Sequence, residues 1–265
     1  MIHPTAVVAC EAEIGEGTII GPYSVIGGAV RLGRRNRIGS HVVIDGNTTI
    51  GNDNQIYQFA SIGAAPQDLK WQGEASTLAI GDRNIIREYA TMQPGTDGGG
   101  GATIVGDDNL FMACSHVAHD CRIGNHVHLA NAATLAGHIE VQDHANLAGL
   151  CAVHQFARIG AHAFVSGGAM VAQDVPPYCI VQGDRARLVG LNEIGLRRQG
   201  VAEDEILELR RAYRRLFHAS DPLVLRLAAL AESAGHRPTV AALVAFVGST
   251  KRGIVAPRRS EAHAA

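Results

Sequence analysis

Stepping six residues at a time from Ile2 lands on an aliphatic side chain at every stop: Val8, Ile14, Ile20, Ile26, Leu32, Ile38, Ile44, Ile50, Ile56 and Ile62. Glycine follows seven of these eleven positions, as in Ile14-Gly15 and Ile20-Gly21. The rhythm breaks at "AAPQDLKWQGEAST", returns at Ile80, Ile86 and Met92, and breaks again at "PGTDGGGGA". It restarts one residue out of phase, from Val105, Phe111, Val117 and Ile123 through to Val165 and Val171. Helical stripes recur at three and four residues and strands at two, so neither alone explains six. A short strand plus a turn does, with one bulky aliphatic turned into a shared core each time. Four places later the residue is usually small or narrow (Thr18, Ser24, Ala133, Ala145, Ala157), which suits tight filling of a narrow prism. Three hexapeptides make an 18-residue triangular coil, stacked on the next by parallel backbone hydrogen bonds at about 4.8 Å. The 26 hexapeptides predict between eight and nine coils of an all-β parallel helix.

The period stops after Val175, at "PPY". Beyond it Ile206, Leu209, Tyr213, Leu216 and Phe217 share one helical stripe. "SDP" (Ser220 to Pro222) reads as a cap with proline in the first turn, and two further helices follow. The expected organisation is a β-helix over 1–190, interrupted by insertions at 64–79 and 94–102, and a small helical domain over 191–265. A disordered tail is expected from "APRRSEAHAA".

Composition narrows the classes without choosing among them. Lys and Arg total 23 against 25 Asp and Glu, a net charge of −2 that gives no general reason to expect nucleic acid. The N-terminus lacks the features of a signal peptide, and no uncharged apolar run approaches 18 residues, so no integral membrane segment is expected. Five cysteines without CxxC spacing read as reduced thiols, and a cytoplasmic location is expected.

The 18-residue coil also predicts vertical neighbours. His119, two places past core Val117, should point outward beneath Gly137, with Gln155 one coil further on; Asp120 should lie beneath His138. A base beside an open shelf with a peptide donor suits acyl transfer. His126, His144 and His162, each 18 apart, should form an exterior ladder whose parallel rings converge poorly on one ion. His116 and His119 could instead belong to a zinc site, although no third ligand is evident. The insertion at Ala64–Thr77 holds Asp68, Lys70 and the only Trp, and serves either function or as a flap over a core seam. "PGTDGGGG" looks too glycine-rich to position a catalytic group and is expected to be a mobile turn.

The motifs "NQIYQFASIG", "PQDLKWQGE", "IGDRNIIRE", "AHDC", "LAGH", "AVHQF" and "AQDVPPY" resemble the UDP-N-acetylglucosamine 3-O-acyltransferases that begin lipid A biosynthesis, through nearly the whole chain. The resemblance implies a left-handed β-helix, against the usual right-handed crossover. It implies an enzyme that moves an (R)-3-hydroxyacyl chain from an acidic acyl carrier protein to the 3-hydroxyl of UDP-GlcNAc, with no covalent intermediate, cofactor or metal. His119 would be the general base, Asp120 its orienting partner and the Gly137 N–H the oxyanion donor. Asp68, Lys70, His116, His138, His154 and Gln155 would line the sugar and acyl site, and Asn192 and Arg198 the nucleotide end. A homotrimer with each site between subunits is implied. The chain departs from the family at Met92–Thr96, where "MQPGT" replaces "IHRGT", and at Ile194 and Gln199, which bears on nucleotide affinity. Gly167 in "VSGGAM" implies room for an acyl chain of medium or greater length. Arg210, Arg211, Arg214 and Arg215 of "LRRAYRR", with Arg34, Arg35 and Arg37, offer positive charge for the carrier. The alternatives are N-acylation of an aminosugar nucleotide, a metal-dependent hydratase, and a non-catalytic hexapeptide scaffold.

Overall fold

The computed structural model describes residues 1–233 and 237–257. The six-residue period becomes a run of two-residue strands joined by turns, from Val7–Val8 and Glu13–Ile14 to Met170–Val171. In most of them the first residue faces out and the second, the periodic aliphatic, is buried. Three sheets of nine, eight and ten strands wall a left-handed prism; all neighbours are parallel except the last strand, Arg187–Leu191, which turns back on Cys179–Gln182.

Strand register explains both breaks in the rhythm. Val7 pairs with Val25 and Val25 with Val43, the 18-residue step. Ser61, however, pairs with Thr91, and Thr91 with His116. The first insertion lengthens its coil by two hexapeptides and leaves the phase intact. The second adds one hexapeptide and one residue, which produces the slip. Both insertions end slightly earlier than expected, because strands already begin at Thr77 and Ala102. Each gains two extra residues of parallel pairing there, Thr77↔Ala102 and Leu78↔Thr103.

The narrow positions fill the corners of the prism, and four of them hold asparagines that are 0–1% exposed: Asn36, Asn54, Asn84 and Asn109. Asn54 donates from its backbone N–H and its amide to Asn36 Oδ1 at 2.9 and 3.0 Å, and Asn84 repeats this on Asn54 at 2.8 and 3.0 Å. Amides that bond along the stack can be buried because each meets its neighbour's polar group. The turns carry side chains in the left-handed region, including Asp120 (φ 59), His138 (φ 61) and Phe156 (φ 65). That conformation is uncommon away from glycine, and it repeats at each coil. It stacks one column of side chains along each corner.

Four helices follow among the described residues: α1 (Glu193–Arg198), α2 (Glu203–His218), α3 (Leu223–Ser233) and α4 (Pro238–Gly248). The expected stripe on α2 is buried at Ile206, Leu209, Tyr213 and Leu216. The short α1 was not anticipated; it is capped by the Asn192 side chain, which accepts from Gly195 N–H at 3.1 Å. After α4 the chain returns to the β-helix, where Asp174 pairs with Ile254 and Leu188 with Pro257. Ala256 and Pro257 are thus held, contrary to a disordered tail from that point; the rest of the expected tail lies outside the described residues. Among the described residues no helix is long and apolar enough to cross a membrane.

Candidate active site

"SHVAHDC" occupies a strand, His116–Val117, and the turn that follows it, at the corner between the first and second walls. The stacking rule holds: His116 pairs with Thr134, and the His138 N–H donates to the His119 carbonyl at 3.0 Å. His119 is more covered than an outward-pointing residue should be, its side chain being only 12% exposed. The shelf above it is not open space either. A Cβ on Gly137 would lie 2.5 Å from His119 Cε1 and 2.7 Å from Nε2, so the imidazole itself fills the room that glycine leaves.

The Asp120 carboxylate is wholly buried and accepts from His119 Nδ1 at 2.8 Å. With Nδ1 donating to a carboxylate, the lone pair sits on Nε2, the nitrogen free to take a proton. The Gly137 N–H meets no backbone carbonyl among the described residues and is available to a developing oxyanion. His138 stands edge-on to His119 at 5.0 Å and stacks on Phe156 at 4.4 Å. Burial pulls the His138 pKa below its ordinary value, while the Asp120 charge works in the opposite direction. Burial likewise lowers His116, helped by neighbouring His119, and His116 Nδ1 bonds the Thr91 hydroxyl at 2.7 Å.

The charges of Asp68 and Lys70 are felt at His138, the first raising its pKa and the second lowering it. His154 and Gln155 lie exposed one coil above. Asn192 and Arg198 are not brought there within one chain. The Asn192 amide donates to the His162 carbonyl at 2.9 Å, on another corner of the prism, and Arg198 is exposed at the end of α1. The ladder of His126, His144 and His162 forms as expected on that other corner, with rings 4.7 Å apart, and continues to Tyr178.

Two features were missed by sequence reasoning. The glycine-rich insertion is not a loose turn away from the chemistry, because Thr96 holds Asp120 through its N–H (2.9 Å) and its hydroxyl (2.6 Å). The spacing gave no signal, since these residues stand 24 apart rather than 18. Arg252, on the segment returning after α4, reaches His154 Nδ1 at 2.9 Å and helps line a groove of about 640 Å³ beside His138 and Phe156. The metal expectation also changes partners. His119, Asp120 and His138 offer ligand atoms within 4.8 Å of one another, whereas His116 is outside that group. The 2.8 Å contact between two of them is a hydrogen-bond distance, which suits a base and its orienting acid.

Residues 11–46 match the family described as bacterial transferase hexapeptide (six repeats), and residues 174–255 match UDP N-acetylglucosamine O-acyltransferase, domain 2. An acyl-(acyl-carrier-protein)–UDP-N-acetylglucosamine O-acyltransferase of Myxococcus xanthus is 52% identical over 96% of this chain and 98% of its own. A protein of the same description from Paracidovorax citrulli is 54% identical with the same coverage. The crystal structure of the Francisella novicida UDP-N-acetylglucosamine acyltransferase superposes with a TM-score of 0.95 at 38% identity, covering 98% of this chain and 95% of that one. Identity above half across almost the full length, on the same β-helix with the same helical tail, shows that this chain belongs to the UDP-N-acetylglucosamine O-acyltransferase family.

Proposed function

We propose that the protein transfers an (R)-3-hydroxyacyl chain from acyl carrier protein to the 3-hydroxyl of UDP-GlcNAc, the step that commits the sugar nucleotide to lipid A synthesis. The observation that carries this reading is the His119–Asp120 pair beneath Gly137 in a chain of this family. In the mechanism, His119 Nε2 takes the proton of the 3-hydroxyl as its oxygen attacks the thioester carbonyl. Asp120 keeps the imidazole in the Nδ1–H form and stabilises the imidazolium. The Gly137 N–H receives the oxyanion, and collapse expels the carrier thiolate, which takes the proton from His119. Every group is a side chain or backbone donor of this protein, so the step needs no cofactor.

His116, His138, His154, Gln155, Asp68 and Lys70 are assigned to the sugar and acyl site. Asn192 and Arg198 are assigned to the nucleotide, Arg198 through guanidinium–phosphate geometry. The position of Asn192 on a different corner from His119 supports a homotrimer in which a neighbouring subunit supplies the nucleotide end. Mass measurement in solution tests this, and a monomeric mass would refute it. A cytoplasmic location fits the carrier-linked donor and the five free cysteines.

Purified protein incubated with UDP-GlcNAc and a series of 3-hydroxyacyl carrier proteins should give O-acylated nucleotide by mass spectrometry. Chains of medium or greater length are expected to be preferred, and chelator should leave the rate unchanged. Loss of activity with chelator would instead favour a metal at His119, Asp120 and His138.

The carrier surface is narrower than the run of arginines implies. Arg210 is engaged by Glu193 at 2.9 and 2.8 Å and anchors α1, while Arg211 pairs with Glu208 at 2.6 Å. Arg214 is exposed and, with Tyr213 and His218, lines a groove of about 480 Å³. Arg215 is exposed as well and only 3.9 Å from Asp221. Reversing Arg214 and Arg215 to glutamate should raise KM for the carrier-linked donor several-fold, with kcat nearly unchanged and a steeper effect at low salt. An unaltered KM would remove α2 from the docking surface.

A further inference from the structure

We propose that Thr96 is a positioning residue for the transfer, and that the glycine-rich insertion exists in its present form to hold Asp120. This inference rests on the general-base reading above and deepens it. Thr96 is only 4% exposed and occupies the N-cap position of a single 3-10 turn, Asp97–Gly99. A threonine there ordinarily turns its hydroxyl onto the turn's own free N–H groups. Here no side-chain cap bond forms. The hydroxyl instead donates to Asp120 Oδ2 at 2.6 Å, and the Thr96 N–H donates to Oδ1 at 2.9 Å. Gly99 N–H and Gly101 N–H both donate to the Thr96 carbonyl, at 3.0 and 2.9 Å, which closes the loop on itself around the threonine.

The glycine at 99 answers a spatial demand and not a dihedral one. Its φ lies outside the left-handed region, yet a Cβ placed there would come within 2.0 Å of Asp120 Cγ and 2.2 Å of Oδ1. The loop backbone therefore lies directly on the carboxylate and shuts it from water. Asp120 receives three hydrogen bonds: Oδ1 from one donor, and Oδ2 from both the Thr96 hydroxyl and His119 Nδ1. Two consequences follow. The Thr96 pair fixes the plane of the carboxylate, so Oδ2 meets His119 in one orientation only. The hydroxyl on Oδ2 also spends part of that oxygen's charge, which keeps the shared proton on imidazole Nδ1 and tempers how strongly Asp120 stabilises the imidazolium.

Thr96→Val removes the hydroxyl while keeping the shape and the backbone N–H; Thr96→Ser keeps the bond. In Thr96→Val, kcat should fall about tenfold because the carboxylate no longer holds His119 in one orientation, with KM for both substrates within twofold of the parent. The acid limb of the kcat profile should move to higher pH, because an Asp120 with one donor fewer favours protonated His119. Thr96→Ser should restore both. In a His119→Ala background, Thr96→Val should cause no further loss, since the two act as one unit. A readout free of turnover is the pH dependence of diethyl pyrocarbonate modification at His119, followed by peptide mass spectrometry. Its midpoint should rise in Thr96→Val and return in Thr96→Ser. An unchanged midpoint, or additive losses with His119→Ala, overturns the role of Thr96 even where wild-type transfer is robust. Absence of transfer by the wild type overturns the general-base reading, and the modification midpoints then decide Thr96 alone.

Discussion

His119→Ala is expected to lower kcat by a factor of about 10²–10⁴, the range that a well-placed general base supplies. The size follows from the absence of any substitute at the corner among the described residues. His138 stands edge-on to His119, with its Nδ1 3.8 Å from Asp120 Oδ2, and burial lowers its pKa. His116 is held by Thr91 and is likewise lowered. Neither is built to replace an imidazole whose Nδ1–H is fixed at 2.8 Å and whose Nε2 lies against Gly137. The KM values should change little, because removing the base leaves the sugar and acyl contacts in place. The fold should also survive, since Thr96 still bonds both oxygens of the Asp120 carboxylate. Steady-state kinetics with a thermal scan on the same preparation checks this. A variant that keeps its kcat within tenfold of the parent sinks His119 as the base.

The parts of this site that sequence made legible are those governed by an 18-residue step. With Val117 as a core position, the coil puts Gly137 over His119 and His138 over Asp120, and the register His116↔Thr134 and Val117↔Leu135 agrees. The phase of the hexapeptides even encoded the insertions. Ile62 and Ile80 stay in step because the first insertion adds whole hexapeptides, while the slip before Val105 records one surplus residue. What stayed hidden lies where the chain leaves the coil. Thr96 meets Asp120 through an insertion whose length obeys no period, and its glycines suggested mobility when one of them is required by the carboxylate it covers. Spacing overstates the exposure of His119 for a related reason. A missing Cβ above it implies vacancy, but the ring occupies that volume.

The same limit applies to the join between the β-helix and its helical tail, where the second large effect is expected. Arg158 sits on a β-helix strand, Arg158–Ile159, and its guanidinium meets Asp174 Oδ2 at 2.9–3.0 Å. Asp174 is 1% exposed, also accepts from the Thr250 hydroxyl at 2.8 Å, and pairs through its backbone with Gly253 and Val255. Arg158 further donates to the Phe246 carbonyl at 3.1 Å and to Ser249 Oγ at 3.2 Å, and its guanidinium lies 4.2 Å over the Phe246 ring. One side chain therefore ties the returning segment and α4 to the coil. Arg158→Ala leaves the Asp174 carboxylate buried with its principal counter-charge gone. Breaking such a pair costs about 3–5 kcal/mol; the lower end applies because the Arg158 side chain is itself 21% exposed. At roughly 2–4 °C per kcal/mol for a chain near this size, Tm should fall by about 6–12 °C. The helical layer should loosen first, so limited proteolysis should cut between Thr239 and Arg252 while the hexapeptide coils stay resistant. Asp174→Asn in the Arg158→Ala background should recover part of the loss, since it removes the unpaired charge. A Tm within about 2 °C of the parent, or a second substitution that recovers nothing, would show that the apolar contacts of α2 and α4 hold the tail without this pair.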